Sequence, residues 1–167
     1  MFQRPAGTLY LTPFTIKHAV SLKALGIQLT TPKAAGLVQL AIYKQDPAVP
    51  NRPKALMCTV AGLATDTAAP TFVTANLAAN SEFLEPGVYF FGAIADGTAA
   101  GTVVALGASG SDVQAMRDLG HATTLLNLRP GVNVTGLTYG SLPTDLSGQT
   151  FNASSSGGTP FGGFQAV

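Results

Sequence analysis

Few side chains in this sequence have the types and spacing that chemistry requires. A serine–histidine–aspartate relay could be assembled from His121, Asp118 and several serines. Such a relay needs its nucleophile on a sharp turn, and no Gly-x-Ser-x-Gly elbow occurs. Neither His18 nor His121 sits in a nucleophile motif. Glu82 and Glu85 flank Phe83-Leu84 and could serve as paired carboxylates. They precede the Pro86-Gly87 turn, however, and read as solvated loop residues. Zinc needs clustered Cys and His, but Cys58 has no such neighbour and the two histidines lie far apart. Asp96-Gly97 and Asp112 lack the Asp-x-Asp-x-Asp spacing of a calcium loop, and Asp-Gly is the signature of a hairpin turn. Gly107-Ala-Ser-Gly110 is too short to cradle a phosphate. Asn133-Val-Thr135 and Asn152-Ala-Ser154 match the glycosylation acceptor pattern only as short tripeptides. The expectation is a protein without catalytic residues, metal or cofactor.

The elements that carry these residues read as strands. Thr8–Phe14 is the first. Ala19–Thr31 is the second. Its apolar parity switches from Val20, Leu22 and Ala24 to Leu25, Ile27 and Leu29, which predicts a bulge near Leu25-Gly26. In Gly36–Gln45, Val38, Leu40 and Ile42 alternate with Gln39, Ala41 and Tyr43. Asp46–Pro53 holds Pro47, Pro50 and Pro53 and is predicted as a loop, because proline cannot donate to a ladder. Ala55–Val60 follows, with Leu56, Cys58 and Val60 in one phase, and then Thr71–Leu77. Val88 to Ala95 is a continuous apolar run between the Pro86-Gly87 and Asp96-Gly97 turns, which predicts a buried strand. Ile42 and Val88 are expected in the core. Gly101–Leu106, Ala122–Leu128 and Val132–Tyr139 complete the strands. Ser111-Asp-Val-Gln114 forms a capping box for one short helix over 111–119 that ends at Gly120. The fold expected is all-β, an antiparallel sandwich of about eight strands with one short helical insertion.

Composition bounds the partners. Only 10% of the 167 residues are charged and the net charge is +1. The basic residues are scattered, so no stripe exists for nucleic acid. No segment approaches the roughly 20 apolar residues of a membrane helix, and the N-terminus does not read as a signal peptide. Synthesis in the cytoplasm, without membrane insertion, is expected. So little charge suggests a surface covered by neighbours, as in an assembly subunit.

The aromatic residues offer contacts. Tyr43, Tyr89 and Phe91 alternate with the aliphatic core set. They could stack on sugar rings, pack against another subunit, or lie under a loop of their own chain. Residues 1–146 are taken as the sandwich and 147–167 as a Gly/Ser-rich arm bearing Phe151, Phe161 and Phe164. Three phenylalanines in such a background suggest docking on a neighbouring subunit or another protein, with folding back on the same chain as the rival.

Several segments resemble one family. Gly7-Thr-Leu-Tyr-Leu-Thr-Pro-Phe14, Leu25-Gly-Ile-Gln-Leu-Thr-Thr31, Val38-Gln-Leu-Ala-Ile-Tyr43 and Leu84-Glu-Pro-Gly-Val-Tyr89 resemble, in order, segments of β-sandwich domains in bacteriophage virions. Residues 109–167 do not share in the resemblance. It implies a jelly-roll-like sandwich, made in a bacterial host and located in the virion, a subunit of the fibre, tail or head-decoration type that acts by assembly, commonly as a homotrimer with other virion proteins. The chain begins at its first strand and reads as a stand-alone subunit. A carbohydrate-binding module for a bacterial surface glycan is the alternative. Far-UV circular dichroism of the purified protein is expected to report predominantly strand. A mostly helical spectrum would reject the fold reading.

Overall fold

The structure is a computed structural model that describes residues 6–29, 32–66, 71–78, 82–97, 131–153 and 162–166, the last five through their backbone alone. The strands are β1 (Leu9–Ile16), β2 (Val20–Leu29), β3 (Leu37–Gln45), β4 (Pro53–Ala64), β5 (Thr71–Asn76), β6 (Glu82–Leu84), β7 (Gly87–Ala95), β8 (Val132–Val134), β9 (Asn152–Ala153) and β10 (Gly162–Ala166). All pairings are antiparallel. One sheet has the order β4-β3-β7-β1-β8-β9. The other has the order β10-β2-β5, with β6 continuing β5 along β2. The chain passes repeatedly between the two sheets, giving an all-β, jelly-roll-like sandwich. No helix occurs among the described residues. The helix expected over 111–119 and the strands expected over 101–106 and 122–128 lie outside them.

The inter-sheet core follows the sequence alternation. Val38, Leu40 and Ile42 of β3 face Leu22, Leu25, Ile27 and Leu29 of β2, with Leu63, Leu77 and Leu84 closing the ends. The parity switch in β2 is accommodated by a bulge. Gln165 pairs with Ala24 and Ala166 with Leu22, so Lys23 is the extra residue. The bulge lies just upstream of the expected position. On the other side of β2 the Leu77 amide donates to the Lys23 carbonyl at 2.9 Å, where β5 and β6 are interrupted.

β4 departs furthest from its expected pattern. Its twelve residues oppose nine of β3, with three register shifts. Leu56 therefore packs on the outer side of the six-stranded sheet, whereas Cys58 and Val60 pack between the sheets. Gly62, at φ +78°, lies at one of these shifts. Bulges of this kind twist an edge strand and make it a poor template for other chains.

β7 fixes the whole architecture. Tyr89, Phe91, Ala93 and Ala95 face the second sheet, while Phe90 and Ile94 face the other way and are equally buried. The expected phase is thus reversed. Tyr89 and Phe91 are core, and Val88 is only half-buried on the outer side. The outer side is covered by residues 136–151, a strap that carries Leu137, Tyr139, Leu142, Leu146 and Phe151. The strand expected over Val132–Tyr139 stops at Val134, because Gly136 turns at φ +79° and the strap begins. Leu146 and Phe151 belong to one strap, β9 pairs with β8, and β10 pairs with β2 of the same chain.

Ile42 is fully buried between the sheets. Ile42→Ala is expected to lower unfolding free energy by about 2–5 kcal/mol, transfer and cavity terms together. The same truncation at exposed Val49 should change it by less than about 0.5 kcal/mol. Urea denaturation checks both.

Candidate interaction surface

The strap is stapled to the six-stranded sheet by polar groups. The Tyr43 hydroxyl donates to the Pro143 carbonyl at 2.9 Å. Gln39, buried in β3, accepts the Gly140 amide at 2.8 Å and donates to the Thr59 hydroxyl at 3.0 Å. The Gly62 amide donates to the Tyr139 hydroxyl at 2.9 Å. Along β4, the Leu56 amide donates to the Thr144 carbonyl and the Leu146 amide to the Lys54 carbonyl, each at 2.9 Å. At the far side the Leu137 amide donates to the Gly7 carbonyl at 3.0 Å. The Arg52 guanidinium donates to the Ser147 carbonyl at 2.6 Å and lies 5.2 Å from the centre of the Phe151 ring. This face is therefore sealed by the chain itself.

The strap decides the fate of the aromatic candidates. Tyr43 points away from the second sheet as expected, but lies wholly under the strap. Burial raises its hydroxyl pKa well above the usual value. Tyr89 is buried in the inter-sheet core 5.9 Å from the Phe14 ring, and its hydroxyl donates to the Glu85 carbonyl at 2.9 Å. Its pKa is raised by burial first and by the Glu85 charge second. Phe91 is buried beside it. These three residues are not an exposed contact set. Phe151 is half-buried on the strap, Phe161 lies outside the described residues, and Phe164 is placed only by its backbone, opposite Leu25.

The chemistry-bearing residues do not converge. Glu82 is half-buried in β6, while Glu85 is exposed and 4.0 Å from the Lys44 ammonium. His18 is exposed in the turn between β1 and β2, and His121, Asp118 and Asp112 lie outside the described residues. Among the described residues no three His, Cys, Asp or Glu side chains come together as metal ligands. The Asp46 carboxylate is buried, accepts the Ala48 amide and lies 3.7 Å from the Lys54 ammonium, which stabilises the proline loop. Asp145 is held below the usual carboxylate range by hydrogen bonds from Ser147.

The open surface lies on the second sheet. Phe72 of β5 and Phe83 of β6 are 53% and 58% exposed. Their register partners on β2 are Gln28 and Ser21. A Cβ at Gly26 would come within 2.6 Å of the Phe72 ring, so the ring lies across the sheet over that glycine. Neither residue was singled out from sequence. The signal was present, since Phe72 shares its parity with Thr74 and Asn76 rather than with Val73, Ala75 and Leu77. No family model, curated protein or solved structure matches this chain.

Cys58 is half-buried, and burial pushes its thiol up to about 12, helped by the Glu82 charge and opposed by a hydrogen bond with the Ile42 backbone. The thiolate is the reactive form, so at pH 8 only ~10⁻⁴ of the thiol is available. Iodoacetamide at pH 8 is expected to leave Cys58 unmodified in the folded protein and to alkylate it fully in urea. Rapid native labelling, read by intact mass, would contradict its placement.

Proposed function

We propose that this protein is a structural subunit that works by assembly rather than catalysis, in a phage or phage-like virion, as a fibre, tail or head-decoration component. The observation that carries the reading is the unequal cover of the two sheets. The six-stranded sheet is closed over by its own strap, whereas the second sheet leaves Phe72 and Phe83 exposed. Low charge content supports the same reading, because a chain with 10% charged residues has little with which to keep its surfaces apart. The ordered resemblance of residues 7–108 to virion sandwich domains supplies the biological setting. A homo-oligomer, with a trimer as the first expectation, is the form proposed.

A second reading rests on Phe72 itself. A phenyl ring laid over Gly26 with half its surface open has the geometry to stack on a sugar. On this reading the chain is a module for a bacterial surface glycan. The two readings separate experimentally, since one predicts self-association and the other binding on a glycan array by a monomer.

The assembly reading predicts an oligomer by light scattering at micromolar concentration. It also predicts that Phe72→Ser with Phe83→Ser gives a folded protein whose assembly is weakened. Each buried phenyl contributes about 1.5–3 kcal/mol, so the midpoint should rise at least roughly tenfold. An unchanged midpoint would remove this face from the interface. A monomer that binds glycans would favour the second reading.

A further inference from the structure

β10 is the final strand and forms one edge of the second sheet. The strand before it, β9, belongs to the other sheet, so the chain crosses between the sheets to reach it. The eight residues between them, Ser154 to Phe161, are Ser, Gly, Thr and Pro before the final Phe. That is linker composition, able to span up to about 3.3 Å per residue. β10 itself begins with Gly162 and Gly163, which have no side chain to bury and lose the most backbone freedom on ordering. Its release therefore regains more backbone freedom per residue than release of a strand without glycine.

The groove it fills is costly to leave open. Gly162 pairs with Ile27, Gly163 with Gly26, Phe164 with Leu25 and Gln165 with Ala24. Without β10, β2 would present a row of unpaired backbone groups above the buried Leu25 and Ile27. Only an extended segment in the same register restores that row, and every copy of the chain carries one. Exchange of an identical edge strand preserves each contact while joining two chains.

We propose that β10 is an exchangeable strand, so that in the assembled state Gly162–Ala166 of one copy pairs along Leu22–Ile27 of a second copy. The proposal rests on the assembly reading above and specifies its contact. It also accounts for how a segment that folds onto its own chain can still serve as an arm.

The test uses the full chain with Cys58→Ala. Ala24→Cys and Gln165→Cys are made separately, co-expressed, purified as oligomer and oxidised. Paired residues on adjacent antiparallel strands lie about 4.5–5.5 Å apart at Cα, within disulfide reach. The expected result is a two-chain species on a non-reducing gel, with peptide mapping that joins positions 24 and 165. The double variant in one chain is the control, since a 24–165 bond within or between chains verifies the register. An oligomer in which the bond forms only within one chain overturns strand exchange and leaves the assembly reading intact. A monomer at tens of micromolar overturns both. A double variant that forms no 24–165 bond at all overturns the pairing on which the proposal stands.

Discussion

The rest of the fold depends on β7 being apolar on both sides. A strand with polar residues on one face can lie at the surface of a two-layer sandwich. Phe90 and Ile94 cannot be left in water while Tyr89, Phe91, Ala93 and Ala95 point the other way into the core. Their sheet must therefore be covered twice, by the second sheet on one side and by residues 136–151 on the other. Gly92 shows how tightly the outer layer packs. A Cβ there would come within 3.1 Å of both Leu9 and Leu11, so even a methyl group would press on the neighbours beneath the strap.

An irregular strap can cover a sheet only if its backbone finds partners, since each buried unpaired amide or carbonyl carries a desolvation cost of about 1–3 kcal/mol. Here β3 and β4 supply them. Gln39 satisfies Gly140, Tyr43 satisfies Pro143, and the exposed edge of β4 pairs briefly with residues 144–146. The buried polar residues of β3 are thus the fastening of a third layer. The same contacts occupy part of the β4 edge, which is otherwise kept irregular by its three register shifts.

What was legible in the sequence follows from this. Period-two alternation gave β3 and its inward set correctly, because β3 has one face dominated by large aliphatics. The parity switch in β2 disclosed a bulge, with a small error in place. β7 was legible as a buried strand, but its phase was not, because a strand buried on both faces contains no polar residue to mark the outside. The strap was illegible for a related reason. Leu137 and Tyr139 are spaced as in a strand and Tyr139, Leu142 and Leu146 as in a helix, so no one period runs through the set, which answers to the surface beneath it. Tyr43 was assigned the correct face, while a sugar, another subunit and a loop of its own chain all stood as its cover, because nothing local announces a covering segment a hundred residues away. Phe72 was overlooked although its strand partners in parity, Thr74 and Asn76, placed it outside.

The double cover also concentrates interaction on one side of the molecule. One sheet is occupied on both faces. The other has a core face, an outer face bearing two half-open phenyl groups, and an edge filled by the chain's last strand. Exposed phenyl groups favour contact, and an edge filled by a short glycine-led strand permits exchange. These features share β2 as their common support. Phe72 lies over Gly26, and the β10 residue paired with Gly26 is another glycine, Gly163. A side chain at position 26 would run into the Phe72 ring and the Thr74 methyl group, both on β5. The absence of a side chain there is therefore what lets the phenyl ring lie across β2.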